Sequence, residues 1–157
     1  MIKKRAVFSL IILMALFAVT CFFLQRHNNN LDLSCNAFLN VKNIKGNFAM
    51  KANFNFSFNK DGSGLILIDG NSYHHNQPYE LRKNITFNYS YMSNDMYQIT
   101  HLVIDSPSRD ATSNRLVNDN FFPTDNSSMK IITLSKVDGM WLIGSPFIPA
   151  FMCLSTR

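Results

Sequence analysis

Two patterns of apolar and polar positions divide the chain. The first is an unbroken apolar run, Ala6 to Leu24, in which only Ser9, Thr20 and Cys21 are polar. As a helix rising about 1.5 Å per residue this run spans roughly 28 Å, close to the ~30 Å hydrocarbon core of a bilayer. It has no polar face, so it is not built to lie on a water-soluble core. The second pattern is strict alternation. In FAMKANFNFSF, Phe48, Met50, Ala52, Phe54, Phe56 and Phe58 fall on one face and Lys51, Asn53, Asn55 and Ser57 on the other. Period two over such a length predicts a strand, because a helix would scatter these phenylalanines around its circumference.

Turn chemistry punctuates the rest. Asn59 to Gly64 predicts a hairpin turn, with Leu65 to Ile68 as the returning strand and Asp69-Gly70 as a second turn or a bulge. Leu81, Lys83, Ile85, Phe87, Tyr89 and Tyr91 share the face of a third alternating run, imperfect only because Lys83 sits among the apolar positions. Ser93-Asn94-Asp95 turns the chain into a strand over Tyr97 to Ile104, which is apolar on both faces at its end. Met129 to Val137 and Met140 to Ile143 flank Asp138-Gly139, a strong hairpin signal, and a short last strand covers Phe151 to Leu154. Ser106 to Asn126 is the least patterned stretch. Ser106 with Pro107 suits a helix start, and the segment reads as a short helix or a loop. The expected fold is mainly β: a small antiparallel barrel or sandwich of seven or eight strands, with at most one short helix, behind an N-terminal transmembrane helix.

Charge orients this layout. Lys3, Lys4 and Arg5 supply three of the fifteen basic residues; without them twelve basic groups face ten acidic ones. The net charge of +5 therefore belongs mainly to targeting and does not indicate a nucleic-acid partner. Basic residues before the apolar run place the N-terminus in the cytoplasm. The expected organisation is a cytoplasmic stub 1–5, a transmembrane helix 6–24, a juxtamembrane linker 25–32 and a periplasmic β-domain 33–157, single-pass in a bacterial inner membrane. A cleaved signal peptide and a lipoprotein at Cys21 are the competing readings. Against the first, Phe22, Phe23 and Leu24 continue past every candidate cleavage site. Against the second, Thr20 precedes the cysteine where a small residue is expected.

Cys35 and Cys153 bracket the exported domain, and in an oxidising compartment they would join its first and last strands; two free buried thiols is the alternative. Catalytic chemistry has little to hold. Asp61, Asp69 and Asp138 each precede glycine, as turns require. His74 and His75 would point to opposite faces of a strand, and His27 and His101 stand alone, so no metal or cofactor is expected. There is no Gly-rich phosphate loop, no G-x-S-x-G and no Cys-x-x-Cys. The chain does not read as an enzyme. Its abundant phenylalanine suits a filled β core, or else a barrel cavity able to take a lipid or other small amphiphile. The tail from Trp141 to Pro149 is unusually apolar, and Trp141, Phe147 and Ile148 are candidates either for closing the core or for binding a partner.

The start Met1-Ile2-Lys3-Lys4 with its apolar run, Cys35 early in the domain, and the ending Gly139-Met140-Trp141-Leu142-Ile143-Gly144 through Cys153 resemble the FidL-like family of enterobacterial single-span membrane proteins. The resemblance covers the full length and rests on layout. It implies a role like that of ToxS: a periplasmic accessory protein that binds and modulates a membrane-tethered, winged-helix transcription regulator of the ToxR type. It carries no catalytic residues to transfer. An independent periplasmic lipid- or amphiphile-binding module is the alternative. The stub Met1 to Arg5 is too short to read DNA, so any effect on transcription is expected to be indirect.

Overall fold

The computed structural model describes residues 10–21, 30–43, 48–75, 77–115, 130–147 and 149–156. The chain forms two compact units, Met1–Asn30 and Leu31–Arg157. In the first, residues 10–21 form a helix, α1, whose side chains are exposed all round. The Thr20 hydroxyl donates to the Phe17 carbonyl at 2.8 Å, so the polar group in this helix bonds within it. Among the described residues no helix is long and apolar enough to cross a membrane. The flanks of the expected span, 6–9 and 22–24, lie outside the described residues.

The second unit is a closed antiparallel barrel of eight strands in sequence order. The strands are β1 (Leu33–Asn43), β2 (Phe48–Phe58), β3 (Ser63–His74), β4 (Gln77–Ser93), β5 (Met96–Asp105), β6 (Lys130–Val137), β7 (Met140–Gly144) and β8 (Pro149–Ser155). Of the two architectures expected, the barrel is the one adopted. Closure gives every strand a neighbour on both sides over at least part of its length. The alternation sets the inward face: Phe54, Phe56 and Phe58 are buried, with Leu81, Ile85, Phe87 and Tyr89 from β4. Rings fill the interior. Phe151 packs on Phe54 and Phe56 with centroids 4.9 and 5.1 Å apart, and Phe58 meets Phe87 and Tyr89 edge-on at 5.5 and 5.4 Å.

The closing seam is short. The β1–β8 register covers Cys35↔Ser155 and Asn36↔Leu154, whereas β1 and β2 pair along their whole length. A disulfide joins Cys35 to Cys153 across this seam, with Cα atoms 5.5 Å apart and both residues fully buried. It points to an oxidising, extracytoplasmic compartment for this domain.

Several expectations change. Asp69-Gly70 is neither turn nor bulge: β3 runs straight through it, paired without a shift to β2 and β4. Glycine is needed there because a Cβ would lie 2.2 Å from the Lys51 carbonyl oxygen and 2.6 Å from the Ala52 Cα. His74 and His75 do not occupy opposite faces of one strand. His74 ends β3, His75 turns at φ 50°, and their rings stack edge-on at 4.1 Å. No helix begins at Pro107; the Asp110 amide donates to the Pro107 carbonyl in a turn, and among the described residues of this stretch helix appears at 114–115, the remainder, 116–126, lying outside the described residues. The doubly apolar end of β5 has a geometric cause. Asn88 pairs with Thr100 but Thr86 with Val103, so β5 carries one extra residue, and His101 takes φ 51°. This bulge shifts the alternation: Tyr97 and Ile99 face inward before it, Leu102 and Ile104 pack on the core after it, and Val103 is exposed. The turns Asn94-Asp95 and Asp138-Gly139 have positive φ at both central residues, as two-residue hairpins require.

Candidate functional site

Lys83, the one buried lysine among the described residues, is the centre of the most polar part of the interior. Lys83 follows Leu81 on the core face of β4 and lies opposite Ile68 of β3. Its side chain is 0% exposed and that of Asp110, with which it pairs, is 1% exposed. A charge so far from water must be matched by charge and hydrogen bonds. Besides the Asp110 Oδ2 contact, the ammonium donates to the Ser106 Oγ at 2.9 Å, the Thr112 carbonyl at 2.7 Å and the Asn114 Oδ1 at 2.5 Å. The four acceptors come from one loop, residues 106–114.

That loop takes the place of a missing neighbour strand. The β4–β5 register begins at Asn84, leaving the first part of β4 with β3 on one side only. The loop covers the other side: Ala111 N–H donates to the Glu80 carbonyl at 2.9 Å, and Arg82 N–H donates to Asp110 Oδ1 at 3.0 Å. Asp110 thus uses one oxygen on the backbone of β4 and the other on Lys83. Thr112 is buried, donates to the Glu80 carbonyl at 3.0 Å and meets the Ser72 hydroxyl at 2.8 Å. Ser106 Oγ–H donates to Asn114 Oδ1 at 2.9 Å. The result is an amine, a carboxylate, a hydroxyl and a carboxamide gathered around one point, with Asn114 on the exposed side.

Sequence reasoning marked Lys83 as an irregularity and passed over Ser106, Asp110, Thr112 and Asn114. The available signal was the lysine itself, since a buried cation demands an acceptor set. Which residues supply it depends on contacts 23 to 31 residues away through an unpatterned loop.

The predicted site residues fall elsewhere. Trp141 lies on the inner face opposite Cys153, packs on the core and carries the Lys136 ammonium 5.9 Å from its ring centroid. Phe147 is 92% exposed in the β7–β8 connection. Ile148 lies outside the described residues. Among the described residues no group of three or more His, Cys, Asp or Glu is placed to hold a metal ion.

The barrel's outer face carries a second feature. With Phe151 and Cys153 inward, Met152 and Leu154 of β8 point outward and are 59% and 61% exposed. Met140 and Leu142 pair beside them on β7, and Val137 of β6 pairs with Met140. Across the seam, Phe38 lies two residues along β1 from Asn36, the partner of Leu154, and is 65% exposed. These side chains form an apolar stripe across four adjacent strands on the solvent side.

Tyr89 anchors the chain where it enters the barrel. Its hydroxyl lies 2.6 Å from the Asn59 carbonyl and 3.1 Å from the Leu31 carbonyl, and it accepts from Leu31 N–H at 3.0 Å. Burial pushes the phenol up from its ordinary value to about 12. Tyr97, whose ring packs edge-on against Tyr89, is also raised by burial.

No curated protein and no solved structure matches this sequence. A family model described as "FidL-like putative membrane protein" matches residues 70–153, from the middle of β3 to the disulfide cysteine of β8. That match takes in Lys83, its loop and most of the apolar stripe, and covers more than half of the chain. The chain therefore belongs to the FidL-like family of membrane proteins.

Proposed function

We propose that this chain is a membrane-anchored periplasmic accessory protein that binds and modulates a membrane-tethered regulator of the ToxR type, and that it has no substrate of its own. In this reading residues 6–24 span the inner membrane from a cytoplasmic stub, 1–5, and residues 25–32 link the span to the barrel in the periplasm. Family membership, the apolar N-terminal run and the disulfide support the placement. The observation that carries the binding role is the apolar stripe of Phe38, Val137, Met140, Leu142, Met152 and Leu154 on the outside of a barrel whose inner face packs aromatic rings. Exposed apolar area of this kind marks protein contacts. The packed rings favour a protein partner over the lipid- or amphiphile-binding alternative, because an amphiphile would have to displace Phe54, Phe56 or Phe151 from the interior.

The test is photo-crosslinking in intact membranes from a probe at Met152. It is expected to capture a winged-helix regulator through its periplasmic domain. The double variant Met152→Asp/Leu154→Asp should keep the fold, since both side chains already face water, and lose the crosslink. An unchanged regulator half-life in cells lacking this chain, together with no crosslink to any regulator, would overturn the reading. A reporter active only outside the cytoplasm, fused after Arg157, tests the topology separately and should be active.

A further inference from the structure

We infer that Lys83 and Asn114 are the partners of a self-made amide cross-link, formed between the lysine Nζ and the asparagine Cγ with Asp110 as the proton carrier. The inference is independent of the accessory role and concerns chemistry the chain performs once on itself. Four requirements of such a step meet at one point. The nucleophile is the Lys83 amine, 0% exposed and directed at the carboxamide, whose Oδ1 lies 2.5 Å away. The proton acceptor is the Asp110 carboxylate, 1% exposed and in contact with the same nitrogen. The oxyanion donor is the Ser106 hydroxyl, which already donates to Asn114 Oδ1 at 2.9 Å. The leaving nitrogen belongs to an exposed residue, so water can carry it away.

The step balances without any other reactant. The Lys83 ammonium gives a proton to Asp110, leaving a neutral amine beside a carboxylic acid. The amine adds to Asn114 Cγ, and the Ser106 O–H supports the charge that develops on Oδ1. Asp110 takes the second proton from the attacking nitrogen as it delivers its first to the departing nitrogen. The Cγ–Nδ2 bond breaks, a Cγ–Nζ amide remains, and ammonia leaves, taking the last proton as ammonium. Asp110 ends as the carboxylate it began as. Holding the amine and carboxamide together out of bulk water turns a step that is very slow between free molecules into one within a fixed pair.

Asp110 suits the carrier role better than the electrophile role. Its Oδ1 is committed to two backbone donors, Arg82 N–H at 3.0 Å and Thr112 N–H at 3.3 Å, and only Oδ2 faces the amine. The product would tie the loop 106–114 covalently to β4, sealing the part of the strand that lacks a β5 partner.

Trypsin tests this directly on the full chain purified in detergent. Unreacted protein is cut after Arg82, Lys83, Arg109 and Arg115, releasing 84–109 and 110–115 as separate peptides. Cross-linked protein resists cutting after Lys83 and yields 83–109 joined to 110–115, lighter than their sum by one ammonia. Wild type is expected to give the joined species, whereas Asn114→Ala, altered at an exposed position, should fold with the same circular dichroism and give only separate peptides. Asp110→Asn should accumulate the joined species at least tenfold more slowly; where that variant fails to fold, Ser106→Ala should show the slowing instead. Separate peptides from folded wild-type protein would overturn the inference, and equal rates in the folded carrier or hydroxyl variants would overturn the assigned roles.

Discussion

At the residue scale, Lys83 shows how one side chain commits a whole loop. A cation on the inner wall of a barrel is tolerated only with a full set of acceptors, and the loop 106–114 supplies them. Lys83→Met leaves the Asp110 carboxylate buried without its cation and is expected to cost about 3–5 kcal/mol. Urea unfolding of the variant against wild type measures it. Tyr89 makes a prediction in pH. Its phenol holds its proton up to about pH 12 in the folded barrel but only to about 10 when unfolded. Between those values the unfolded chain binds fewer protons than the folded one, so stability falls as pH rises. The stabilisation is fully present below about pH 10 and lost as pH passes through 12. Tyr89→Phe should remove most of this dependence while lowering neutral-pH stability through the lost bonds to Asn59 and Leu31; thermal melts at pH 8 to 12 would show it.

At the scale of elements, β3 and the closing seam are the places where geometry is least forgiving. Gly70 lies where β2 comes so close that a methyl group would overlap the Lys51 carbonyl and the Ala52 backbone. Because those atoms are backbone, relief requires the strands to move apart, and Gly70→Ala should cost about 1–3 kcal/mol in denaturant unfolding. The seam between β1 and β8 shows two paired positions, and the Cys35–Cys153 bond crosses it. The bond closes a loop of 118 residues, worth about 4–5 kcal/mol in the chain-entropy account. Cys35→Ser/Cys153→Ser should lose most of that, and hydrogen exchange should show β1 and β8 losing protection before β2 and β3. Equal protection across all strands would mean that the seam needs no staple.

At the scale of the whole molecule, the barrel has its own core and its own covalent closure. A chain beginning at Leu31 should therefore fold, with a thermal transition within a few degrees of the full-length chain measured by circular dichroism. The outer face carries the apolar stripe over β6, β7, β8 and β1, and separate exposed apolar side chains at Leu67 of β3 and Val103 of β5. The β2–β3 side, by contrast, is mostly polar, presenting Lys51, Asn53, Asn55, Asp69 and Asn71 beside Leu67. Two faces of opposite character on one small barrel give it an orientation toward a partner that fold alone does not supply.

The sequence by itself determined the alternating strands and their facing where the period of two is unbroken, because that period is a local property; β1, over Leu33–Asn43, was not read from it. Phe48 to Phe58 could be read to the residue, as could the Asn94-Asp95 and Asp138-Gly139 turns, whose residue types tolerate positive φ. It did not reveal the length of β3, because Gly70 imitates a turn signal when its reason is a neighbouring strand. Nor did it reveal the change of facing at His101, since a bulge is visible only against the partner that β5 pairs with. Closure into a barrel rather than a sandwich, the nearness of Cys35 to Cys153, and the meeting of Lys83 with Asp110, Ser106 and Asn114 were decided by tertiary structure alone. Each is a contact between residues far apart in the chain, and the pattern along a strand carries no information about what the fold will bring to its side.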